Sequence, residues 1–291
     1  MSLSSWFDPI SAGLTLLAGL LLPAATGGDP APKALDDAAR ERVVERVLEE
    51  LERGYVYPEV AARMEEDVRA RLARGEYAAL SQPEAFARAL TEHLQGVSKD
   101  KHLRVRWSAR PLPQRPDREP GPAEMTAMRE RRRAEEARRN FGFERVERLS
   151  GNIGYLDLRG FLPPEIMGPT ADAAFAFLGH TDALIVDLRK NGGGAPEGVA
   201  YVSSFLFGEE PVHLNDLYFR PEDRTEEFWT RDVPGPRFEG KDVYVLTSSH
   251  TFSGAEEFAY NLKCLKRGTI VGERTGGGAN PGGMERIDDH F

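Results

Sequence analysis

Residues 242–272 read DVYVLTSSHTFSGAEEFAYNLKCLKRGTIVG, and this stretch decides the fold. Asp242 to Thr247 is a β-branched, apolar run of strand length. Ser253 to Leu265 carries the spacing of an amphipathic helix, and Thr269 to Gly272 is a second short strand. Strand, turn, helix, strand is the unit from which a parallel sheet is built. Working back toward the amino terminus, Ala183 to Leu188 and Ile153 to Leu158 are further strands. The near-continuous apolar character of Ala183 to Leu188 predicts a strand covered on both faces. The carboxyl half is therefore expected to be an α/β layer with largely parallel strands.

In such a layer, ligands sit where strand ends turn into helices. Two of these turns carry chemistry. Asp187-Leu188-Arg189-Lys190-Asn191 leads into Gly192-Gly193-Gly194, where three glycines permit a tight bend and leave amide hydrogens uncovered for an anion. A turn without a ligand explains the same residues. The second turn, Ser248 to Glu257, contains Ser253 and Glu256 in the S-x-x-E spacing of a helix capping box. A serine at a helix start also lies beside unpaired amides and the positive end of the helix dipole, which would stabilise the oxyanion of a tetrahedral intermediate. Cap and nucleophile both remain open for Ser253. The G-x-S-x-G elbow of α/β-hydrolases does not fit Thr251-Phe252-Ser253-Gly254-Ala255.

Upstream, three amphipathic stripes predict a small helical domain: Val43, Val44, Val47, Leu48 and Leu51; Val60, Met64, Val68 and Leu72; Phe86, Leu90 and Leu94. Pro58 and Pro83 stand where helices begin. His102 to Trp107 reads as a strand, followed by a proline-rich linker from Pro111 to Pro122. Arg129 to Arg139 holds six Arg and three Glu and reads as a solvated helix; it has no interleaved aromatics to stack on bases. Near the amino terminus the apolar run Ala12 to Leu22, followed by small residues from Pro23 to Gly27, predicts a secretory leader, although no Lys or Arg precedes it. The expected organisation is a leader over residues 1–33, a helical domain over 34–110, a linker and charged helix over 111–150, and the α/β core over 151–291.

Across 291 residues, 38 Lys and Arg against 47 Asp and Glu give a net charge of −9, which argues against nucleic acid as a partner. The single cysteine, Cys264, cannot form an internal disulfide and is expected in the core. Six histidines without H-E-x-x-H spacing predict no metal site, and the missing phosphate-loop pattern predicts no nucleotide cofactor.

Taken in order, Asp187 to Gly194, Thr247 to Tyr260 and Ile270 to Gly278 resemble the tail-specific, or C-terminal processing, serine peptidase family. More narrowly they resemble its branch of tricorn cores and interphotoreceptor retinoid-binding protein repeats. Gly54 to Glu59 and Ser98 to Leu103 are similar to the helical lead-in of that branch, so the resemblance extends from about Ala39 to Phe291. It implies a crotonase-like layered α/β catalytic domain behind a small helical domain, and a peptide or protein substrate. It also implies Ser253 as nucleophile, with the amides of Gly254 and Gly193 as oxyanion hole. The processing branch places a lysine base at the position held here by Gly278, so a Ser-Lys pair is not expected. The tricorn-like branch uses a histidine in the lead-in, and His102 occupies that place; imidazole can take the hydroxyl proton and return it to the leaving amine. His250, three residues before Ser253, is a rival base hampered by its position in one tight turn. Asp100 and Lys101 take no assignment.

The resemblance has two departures. The chain between Trp107 and Ile153 is too short for a peptide-binding PDZ insertion. The glutamate and sheet-completing tail of the tricorn-like branch would lie beyond Phe291, so the core is expected to be short at its carboxyl end. An alternative function on the same scaffold is non-catalytic binding of an apolar ligand such as a retinoid or fatty acid. The triple glycine Gly276 to Gly278, with Asn280 to Gly283, reads as a mobile loop able to cover the serine.

Overall fold

The computed structural model describes residues 34–113, 121–278, 280 and 282–291. The leader reading at Ala12 to Leu22 and the middle of the proline-rich linker lie outside the described residues.

Three helices, α1 (Asp37–Gly54), α2 (Pro58–Ala73) and α3 (Pro83–Ser98), form the amino-terminal domain. Pro58 and Pro83 occupy the first helical positions, where a missing N–H costs nothing. The predicted stripes meet in one core built from Val43, Val44, Val47, Leu48, Met64, Val68, Phe86, Leu90 and Leu94, all buried. The strand reading of His102 to Trp107 is corrected: the segment is extended but joins no ladder. Its alternating Leu103, Val105 and Trp107 pack against the helical core instead, and the Val105 N–H donates to Thr91 Oγ1 at 2.9 Å. Period-two apolarity records the covered face and says nothing about a partner strand. The charged helix α4 (Pro122–Ala137) buries no residue.

The second unit is a five-stranded sheet in the order β1-β2-β3-β6-β7. Its strands are β1 (Phe143–Leu149), β2 (Ile153–Leu158), β3 (Ala183–Asp187), β6 (Asp242–Thr247) and β7 (Thr269–Gly272). Only the β1–β2 pair is antiparallel. Helices α5 (Pro164–Leu178), α6 (Pro196–Ser204) and α7 (Gly254–Cys264) pack with the sheet in one apolar core. Between α6 and β6 an antiparallel hairpin, β4 (His213–Phe219) and β5 (Arg224–Trp229), forms a separate ribbon.

The expectation that both sheet faces are covered is also corrected. Leu184 and Val186 are wholly buried, whereas Ile185 is half-exposed and its neighbour across the ladder, Tyr244, is exposed. Cys264 is exposed, not in the core, because it falls in the last turn of α7 on the side away from Leu262.

Candidate active site

The register Asp187↔Leu246 leaves β3 and β6 level at their carboxyl ends, so the glycine turn and the serine turn emerge side by side. They are stitched together at four points. The Leu188 N–H donates to the Leu246 carbonyl at 2.9 Å, and Thr251 Oγ1 donates to the Leu188 carbonyl at 2.8 Å. Ser248 Oγ donates to the Arg189 carbonyl at 2.6 Å, and the Phe252 N–H to the Asn191 carbonyl at 3.1 Å. Asn191, fully buried, completes the frame: its Nδ2 donates to the Leu158 carbonyl at 3.0 Å and its Oδ1 accepts the Gly193 N–H at 2.8 Å.

Ser253 sits at the start of α7 with φ 54° and ψ −126°, a conformation that costs an L-residue energy and marks a sharp strand-to-helix elbow. Its N–H donates to Glu256 Oε2 at 3.0 Å, which is the glutamate half of the capping box. The hydroxyl half is not used: the Glu256 N–H goes to the Ser253 carbonyl at 2.7 Å, and the Ser253 side chain makes no cap hydrogen bond. The hydroxyl is left for other chemistry.

Gly193 is the closest neighbour of this elbow. A β-carbon there would stand 2.6 Å from the Gly254 nitrogen and 2.8 Å from Ser253 Cβ, so only glycine permits the approach. The Gly193 amide itself is engaged by Asn191. The amides of Gly194 and Gly254 donate no hydrogen bond among the described residues, and Gly194 N lies 3.1 Å from where a Gly254 Cβ would be. Two uncommitted N–H groups therefore flank the serine.

Glu256 does more than its motif suggested. Its buried carboxylate also accepts the Gly277 and Gly278 N–H groups, each at 2.7 Å, while the Gly276 N–H donates to the Thr251 carbonyl at 2.9 Å. The mobile-loop reading of Gly276 to Gly278 is thus corrected: these residues form a strap fastened to the elbow. The strap presses Gly278 against the Phe252 ring and His102, with a Gly278 β-carbon position 2.9 Å from His102 Cε1.

His102 arrives from the helical domain. Its ring packs at a tilt of 37° against Phe252, the residue before Ser253, with centroids 4.5 Å apart. No hydrogen bond joins the imidazole to Ser253 Oγ in this structure; catalytic contacts of this kind commonly close only when substrate binds. His250 is exposed, and its N–H is held by Ser248 Oγ at 3.1 Å. Asp187 is held below the carboxylate range, at about 2: burial pushes it up, but hydrogen bonds from Arg189 and Tyr155 outweigh that. Its carboxylate thereby fixes the root of the glycine turn. Among the described residues, no group of three or more His, Cys, Asp or Glu is placed to hold a metal.

An α/β layer thus carries a strained serine elbow beside a glycine turn, and a histidine from a helical domain packs on the residue before that serine. A sequence model of peptidase family S41 matches residues 152–288, and a model of the N-terminal domain of such peptidases in eukaryotic IRBP matches residues 37–141. The chain is 30% identical over 158 residues to a tail-specific protease of Haemophilus influenzae, covering 53% of this chain and 21% of that one. It is 30% identical over 135 residues to a tricorn protease of Thermoplasma volcanium, covering 45% and 12%. A crystal structure of a candidate peptidase from Parabacteroides merdae superposes over 82% of this chain and 76% of that chain, with a TM-score of 0.50 at 20% identity, a likeness of fold alone. The chain belongs to peptidase family S41, the tail-specific peptidases. It spans about a fifth or less of the length of the curated relatives it matches. Those relatives are named as proteases, and the apolar-ligand alternative gains no support from them.

Proposed function

We propose that this chain carries the catalytic centre of a serine endopeptidase acting on peptide or protein substrates. The observation that carries the reading is the Ser253 elbow: a hydroxyl outside the cap hydrogen bonding, at a helix start, between two uncommitted amides. Ser253 Oγ attacks the scissile carbonyl while His102 takes the hydroxyl proton. The C–N bond then breaks, His102 returns that proton to the leaving amine, and water hydrolyses the acyl-enzyme by the same route in reverse. The oxyanion is received by the Gly254 N–H and an N–H of the glycine turn. With the Gly193 amide bonded to Asn191, the uncommitted donor of that turn that lies against Gly254 is Gly194, and Gly193 serves as the residue that permits the approach.

A fluorophosphonate probe tests this directly. Labelling is expected at Ser253, lost in Ser253→Ala and reduced by about 10³-fold or more in His102→Ala. An unlabelled wild-type Ser253 in the folded full chain defeats the reading. Export, supported by the apolar run Ala12 to Leu22 and the small residues after it, is part of the same proposal. A protein retained inside the cell with its sequence still beginning at Met1 would count against it.

A further inference from the structure

Asp100 was left unassigned by sequence, and the structure surrounds it with a specific set of partners. Its side chain is 8% exposed. Oδ1 accepts the His102 N–H at 2.8 Å and stands 3.4 Å from His102 Nδ1. That ring nitrogen is shut off from solvent and makes no hydrogen bond in this structure, Asp100 Oδ1 being close to it without yet bonding. Oδ2 accepts the Tyr55 hydroxyl at 3.3 Å. The turn that presents the carboxylate is fixed as well: Lys99 ends α3 in the left-handed conformation with φ 61°, and the Asp100 N–H donates to Ser98 Oγ at 3.1 Å.

We propose that Asp100 is the positioning residue for His102, holding the imidazole in the Nδ1–H tautomer so that Nε2 offers its lone pair to the Ser253 hydroxyl. The inference rests on the reading of Ser253 and His102 as nucleophile and base. A buried Nδ1 with a carboxylate oxygen 3.4 Å away is favoured with the proton on Nδ1, and a small turn of the ring closes the bond to Oδ1. When Nε2 accepts the serine proton the ring becomes a cation, and the neighbouring carboxylate stabilises it without taking a proton itself. Burial pushes the Asp100 carboxyl up, but hydrogen bonds from the His102 side chain and amide, the His102 charge and the Tyr55 hydroxyl hold it below the usual carboxylate range. It is therefore an anion at neutral pH.

The support continues outward. Arg220, at the end of β4, donates from Nη1 to the Tyr55 carbonyl at 2.7 Å and from Nη2 to the Glu52 carbonyl at 2.9 Å. The segment that carries the Tyr55 hydroxyl is thus fastened to the unit that carries Ser253.

The test uses the full chain with ¹⁵N-labelled histidine, the His102 signals being assigned by their loss in His102→Gln. In the wild type, ¹⁵N shifts at a pH where the ring is neutral are expected to report Nδ1–H, and Asp100→Asn is expected to move the population toward Nε2–H. Asp100→Ser, whose hydroxyl can still cap the His102 N–H, gives the same readout if the Asn variant does not fold. Fluorophosphonate labelling of Ser253 should fall by roughly 10³- to 10⁴-fold in either variant and recover in part in Asp100→Glu. An unchanged tautomer in a folded Asp100 variant overturns the proposal. A tautomer that switches in a protein whose wild-type Ser253 is never labelled supports Asp100 in its positioning role and defeats the peptidase reading instead.

Discussion

Ser253 and His102 stand out in the sequence because their flanking motifs are ordered along the chain, whereas the bonds that Asn191 and Glu256 make are legible only in part. A capping box predicts one carboxylate–amide bond at Glu256, whereas the folded chain delivers three, two of them from glycines more than twenty residues downstream. Glu257, the next residue, shows how burial alone can change a group's chemistry. Desolvation first, and the charge of Glu197 second, push its carboxyl up to about 8, while Asn215 pulls it down. Between its ordinary value of 4.5 and about 8, the folded chain keeps this proton and the unfolded chain releases it. More protons bound in the native state means that this contribution to stability falls as pH rises through that window and is flat above it. Glu257→Gln, which mimics the protonated form, is accordingly expected to match the wild type near pH 4.5 and to become the more stable of the two by several kcal/mol toward pH 8. Urea midpoints of both proteins across that range check it; parallel curves would contradict the assignment.

At the level of elements, helices α1 to α3 and strands β2, β3 and β6 follow from periodicity, because each presents one covered face that the placing of apolar residues records, whereas β7 offers only the half-buried Ile270. Strand β1 and the β4–β5 ribbon escaped notice for the converse reason. Phe143-Glu144-Arg145-Val146-Glu147-Arg148-Leu149 and Arg224 to Trp229 are rich in charge and each fully commits one residue to the core, Phe143 and Phe228, so too few apolar positions mark them. The strap at Gly276 to Gly278 reads as mobile by composition, yet the Glu256 carboxylate holds two of its three amides and the Thr251 carbonyl the other. Glu256→Ala is expected to free the Gly277 and Gly278 amides, raising hydrogen exchange and proteolytic nicking at Gly276 to Gly278 while leaving α7 helical. Protection unchanged from wild type would mean that contacts with Phe252 and His102 hold the strap by themselves.

The proposed base and nucleophile belong to different units of the molecule, so their distance depends on how the helical domain seats on the α/β layer. Arg220 is one fastening, through two charge-assisted bonds to backbone carbonyls. Replacing it with alanine is expected to cost on the order of 1 kcal/mol in stability. The same change should slow fluorophosphonate labelling about 10- to 100-fold, since a shift of about 1 Å in a catalytic group is enough for such a loss. Circular dichroism and urea unfolding separate this effect from loss of fold. Labelling at the wild-type rate would show that the remaining contacts, Phe252 on His102 among them, seat the domain without it.

The sequence by itself determined the two units, the strand-to-helix turns and the family, because periodicity, turn chemistry and motif order are local properties of the chain. Only the tertiary structure decided which amides near Ser253 stay uncommitted, that Glu256 binds the distant strap, and that Asp100 and Tyr55 stand behind His102. Those facts depend on hydrogen bonds between distant segments, up to 168 residues apart where Arg220 fastens the stretch that carries Tyr55, and no local pattern records which of several acceptors a buried donor will meet.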